Sequence, residues 1–98
     1  MRKLVFTQYA DAQYSDAYLW YERARSGLGE EFARTVDNVL SRIRTDPAQF
    51  KRSTGNYRRL ATKRFPYEIF YDFDASTIVV YAVFHTSQNP DVWQSQLN

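Results

Sequence analysis

The chain has 98 residues, 44% of them hydrophobic and 17% aromatic, with a formal net charge of +2. That is one domain over residues 1–98 with a single core, and it excludes a disordered tail. The absence of cysteine excludes disulfides and thiolate metal sites, and no apolar run approaches the ~20 residues of a membrane span. The opening "MRKLVFTQYADAQ" turns acidic too soon for a signal peptide, so the expected location is the cytoplasm.

In chain order, "RKLVFTQ" reads as a short strand, rich in β-branched and aromatic residues. From Ala10 to Arg25, Tyr14, Ala17, Tyr18, Tyr21 and Ala24 recur at helical spacing, while Leu19 and Trp20 fall off that stripe. "SGLGEEF" places Gly27 and Gly29 where one helix ends and the next begins, with Glu30 and Glu31 suited to a helix N-terminus. Leu28, Phe32, Val36, Val39, Leu40 and Ile43 form the stripe of a second helix, which stops before Pro47. So short a junction makes the pair an antiparallel hairpin.

Three strands follow, over 57–64, 67–73 and 77–85. In the second, Tyr67, Ile69, Tyr71 and Phe73 alternate with Glu68, Phe70 and Asp72, which predicts a sheet with one buried face. "TIVVYAVFH" reads as a nearly buried central strand, and "NPDVW" offers a further helix start with Trp93 as an amphipathic anchor. The order β-α-α-β-β-β predicts an α+β fold, a helical hairpin packed on a small antiparallel sheet.

Charge is unevenly spread. Residues 51–67 hold six Lys/Arg and no acid, whereas residues 65–98 hold four acids and no Lys or Arg. Such a segment attracts phosphates or acidic peptides. Alternation sends Arg58 and Arg64 to one face with Leu60, and Arg59 and Lys63 to the other. His85, the single histidine, stands where the last strand meets a polar loop and has no partner visible in the sequence. One histidine without cysteine builds no common zinc site, and there is neither a Gly-rich phosphate loop nor a Gly-flanked nucleophilic serine. Neither a metal nor a cofactor is expected.

"WYERARSGLGEEF", Pro47, "RRLATKRFPYEIFY" and "VFHTSQNPDVW", in this order over nearly the whole chain, resemble the RelE/ParE superfamily of type II toxin–antitoxin toxins. The resemblance implies the helical-hairpin-on-sheet fold and a cognate antitoxin as partner. Two activities diverge within the superfamily. RelE-like members cleave mRNA on the ribosome with cations on the sheet and at its C-terminal end, which here implicates Arg58, Arg64 and His85. ParE-like members inhibit DNA gyrase and lack that set. Ser87 and Gln88 occupy positions where the nucleases carry arginine, and nothing after His85 is cationic, although a phosphorane needs positive charge close by. The expectation is therefore a ParE-like gyrase inhibitor without enzymatic activity, with the ribosome-dependent endoribonuclease or an inactive antitoxin-binding relative as alternatives. The resemblance implies an antitoxin segment along the hairpin and sheet, with Tyr18, Leu19, Trp20, Arg58, Arg59, Lys63, Arg64 and Trp93 as contacts.

Overall fold

A threonine starts the first helix. In the computed structural model, which describes residues 2–53 and 55–87, strand β1 (Lys3–Phe6) ends at Thr7. The Thr7 Oγ1 accepts the Ala10 N–H at 3.1 Å and caps helix α1 (Gln8–Ala24). Ala10 and Ala17 of α1 are buried, with Tyr14, Tyr18 and Tyr21 packed beside them, while Ala24 is exposed and does not join the stripe.

The turn into helix α2 (Leu28–Thr45) uses glycine twice, for different reasons. Gly27 takes φ 90°, a conformation only glycine adopts without strain. A Cβ on Gly29 would stand 2.9 Å from the Tyr18 carbonyl, so glycine lets the two helices approach. No side chain of Gly27 can cap α2; instead Glu22 reaches across from α1, and its carboxylate accepts the Gly27 and Gly29 N–H groups at 3.0–3.1 Å. Helix α2 then buries Phe32, Val36, Val39 and Ile43, and Pro47 follows its end.

After a long loop come β2 (Arg58–Ala61), β3 (Tyr67–Phe73) and β4 (Thr77–His85), and the four strands lie in the order β1-β4-β3-β2. The β-α-α-β-β-β order and the α+β class are as expected. The sheet is mixed, because β1 joins β4 in parallel while β2–β3 and β3–β4 are antiparallel. Strand β2 is shorter than predicted. Thr62 to Pro66 form a tight turn in which the buried Thr62 Oγ1 lies 2.6 Å from the Phe65 carbonyl, and Arg64 takes φ 75°.

Both faces of the sheet carry buried side chains, contrary to the single buried face predicted. On the helix face, Ile69, Tyr71, Ile78, Val80 and Val83 join Phe32 and Val36 in the main core. On the other, Phe70, Ala82 and Phe84 cluster with Tyr9, Tyr57 and Tyr81. A bulge explains how β4 serves both: Phe70 pairs with Ala82 but Tyr71 with Val80, so Tyr81 is the extra residue and the face parity flips across it. Pure alternation along "TIVVYAVFH" cannot show that flip.

Phe32 centres the main core, with the rings of Tyr14, Tyr21, Phe65 and Tyr67 at 5.1–5.8 Å. Tyr71 is wholly buried, donates its hydroxyl to the Pro47 carbonyl at 2.6 Å, and has its pKa pushed up to about 12 by that burial.

Candidate partner-binding surface

The basic segment is less available than its sequence suggests. Arg58 lies on the helix side of β2 with Leu60, where its Nη1 donates to the carbonyls of Ala48 and Phe50 at 3.1 and 2.7 Å. Its guanidinium also covers the Phe73 ring at 5.6 Å. Arg59, on the opposite side, is 3.4 Å from the Glu68 carboxylate. Arg64 is not in a strand at all. Its positive φ turns it to pair with Glu31 of α2 and stack on Phe65, so the alternation that grouped it with Arg58 does not apply. Lys51, Arg52 and Lys63 make no side-chain hydrogen bond or ion pair among the described residues.

Arg58, Arg64 and His85 are not brought together. Arg58 pairs with Tyr71 and His85 with Tyr67, so the two stand at opposite ends of β3, about 13 Å apart along the strand direction alone at ~3.3 Å per residue. Arg64 is held by Glu31, whose carboxyl is kept below its ordinary pKa first by the Arg64 hydrogen bond and then by Arg25. The Ser87 N–H donates to His85 Nδ1 at 3.1 Å, and the Ser87 Oγ lies 2.6 Å from the same nitrogen.

A different group of residues converges at the other end of the sheet. Gln13, Asp16, Trp20 and Tyr21 of α1 face Tyr67, Val83 and His85 of the sheet around a groove of about 410 Å³. The rings form a continuous edge-to-face series, Trp20–Tyr21 at 5.2 Å, Tyr21–Tyr67 at 6.2 Å and Tyr67–His85 at 5.1 Å. Burial, then the neighbouring Tyr21, pushes the Tyr67 phenol up to about 12. Of the predicted α1 contacts, Leu19 is 46% and Trp20 66% exposed, whereas Tyr18 turns back to donate to Glu30 at 2.6 Å. Trp93 and Gln88 lie outside the described residues.

Reasoning from sequence missed Gln13, Asp16 and Tyr67. Gln13, Asp16 and Trp20 share a helical stripe at i, i+3 and i+7, a signal present in the sequence beside the apolar stripe that was followed instead. Among the described residues no three metal-ligating side chains cluster, and no helix is long and apolar enough to cross a membrane.

Residues 4–90 match the family model described as ParE toxin of type II toxin-antitoxin system, parDE. This chain belongs to the ParE toxin family. Among solved structures it is similar to a chain of the chromosomal ParDE TA system from P. aeruginosa, with a TM-score of 0.65 over 87% of this chain and 96% of that one. Identity there is 16%, so the likeness is one of fold. A comparison with curated proteins finds no match. The chain is thus a ParE-like toxin of the type II toxin–antitoxin class, as its motif order implied.

Proposed function

We propose that this ParE-family chain arrests bacterial growth by inhibiting DNA gyrase in the cytoplasm, and that a cognate antitoxin holds it inactive by covering the helical hairpin. The observation that carries the choice of target is the dispersal of Arg58, Arg64 and His85. A ribosome-dependent nuclease must concentrate positive charge and a proton carrier around one phosphate, and here Arg58 and Arg64 are committed to separate carbonyls and a carboxylate. Inhibition by binding needs no such constellation. It needs a surface, and α1 presents Leu19 and Trp20 to solvent.

Induced expression tests this reading. Growth should stop with filamentation and DNA-damage signalling, and co-expression of the antitoxin should restore it. Primer extension on cellular mRNA should show no new cuts at codon boundaries. Unimpaired growth at confirmed soluble expression would remove the toxin activity, and codon-phased cleavage would replace gyrase with the ribosome.

A further inference from the structure

We infer that the exposed face of α1 is a self-complementary patch through which two copies of this chain pair, helix against antiparallel helix, about a two-fold axis beside Leu19 and Trp20. Asp16, Leu19, Trp20 and Arg23 stand at i, i+3, i+4 and i+7, so they share one face of α1. All four are exposed, and Leu19 and Trp20 are the large apolar side chains left in solvent among the described residues. Neither the Asp16 nor the Arg23 side chain makes an ion pair or hydrogen bond among the described residues. The neighbouring Arg25, by contrast, is already held by Glu31.

The order of the four residues selects the partner. The two charges have opposite sign and flank the apolar pair evenly, each about 5 Å from its midpoint at ~1.5 Å per residue. In an antiparallel pair centred on that midpoint, Leu19 of one copy meets Trp20 of the other, and Asp16 meets Arg23. The axis repeats each contact, so one helical face supplies two apolar contacts and two ion pairs. A parallel pair would instead set Asp16 against Asp16 and Arg23 against Arg23, where like charges repel. The patch carries one acid and one base, so two copies approach across it without net repulsion, although the whole chain is cationic. The indole and the leucine supply the burial, and the charges fix the direction. One helical face is small beside a standard interface, so the pair is weak and concentration-dependent.

Sedimentation velocity of the full chain without antitoxin, from micromolar to millimolar concentration, tests this. Wild type should pass from monomer to dimer as concentration rises, and the Trp20 indole resonance should move along the same curve. Asp16→Arg and Arg23→Asp should each associate about tenfold more weakly, the scale of two exposed ion pairs lost from one dimer. An equimolar mixture of the two variants should recover association at the wild-type strength, because each variant then meets the charge its own copy lacks. Both positions are exposed, so each variant should keep the wild-type circular dichroism. A chain that stays monomeric to millimolar concentration would overturn the proposal and leave this face to the antitoxin. Association that survives both single reversals, or that the mixture fails to restore, would overturn it too. Growth arrest plays no part in the test, so its outcome is independent of the toxin reading.

Discussion

Two regions of this molecule invite opposite conclusions from the sequence and reverse them in the fold. The segment from Lys51 to Arg64 is the most basic part of the chain, yet Arg58, Arg59 and Arg64 are each held by groups of the protein itself. The first helix looks ordinary, yet it leaves the Trp20 indole and the Asp16 carboxylate exposed at one groove. Charge density along a chain measures what could attract a partner. What remains after the fold has used its share measures what does.

The groove depends on the aromatic core behind it, which gives the largest expected effect. Phe32 is fully buried under Tyr21 and Tyr67, so Phe32→Ala should cost about 3–5 kcal/mol by chemical denaturation. It should also broaden the Trp20 and His85 resonances. A loss below about 1 kcal/mol would show that the groove's floor is not part of the core.

Trp20→Ala should separate binding from folding. Stability should change by less than about 0.5 kcal/mol, while antitoxin dissociation accelerates about thirtyfold, as expected for an anchor contributing about 2 kcal/mol. Unchanged dissociation would put the antitoxin elsewhere.

The basic segment can be divided by experiment. Arg58→Met removes two charged hydrogen bonds to carbonyls and a ring contact, and should cost about 1–2 kcal/mol. Lys63→Met should cost less than about 0.5 kcal/mol, but should slow antitoxin association at low salt if an acidic segment passes nearby. Equal stability of the two variants would contradict the division between committed and open cations.

The smallest effect depends on pH. Because Glu31 has its pKa lowered by Arg64 and then Arg25, its contribution is present above the ordinary glutamate range and is lost as pH falls through the lowered value. Arg64→Gln should therefore lower the denaturation midpoint near neutral pH, and the difference from wild type should shrink as pH falls through the lowered Glu31 value. A difference that persists in acid would assign Arg64 a role through its backbone turn instead.

The boundaries of β3 and β4, the helix junction and the ending of α2 before Pro47 were legible because periodicity, glycine and proline act locally. The parallel placement of β1, the bulge at Tyr81 and the second buried face were not, because each depends on what a strand meets across the sheet. Trp20 was legible as a residue off its helix stripe, and it is exposed. Arg64 was misplaced because the turn at Thr62 ends the strand whose alternation located it. Asp16 was overlooked because a lone carboxylate on a helix gains meaning only from the residues the fold gathers beside it.

The most direct measurement is ATP-dependent supercoiling of relaxed plasmid by purified DNA gyrase, titrated with the folded chain. Supercoiling should fall as the chain is added and recover when the antitoxin is present in excess. Supercoiling that continues unchanged in the presence of excess folded chain would contradict the assignment of gyrase as its target.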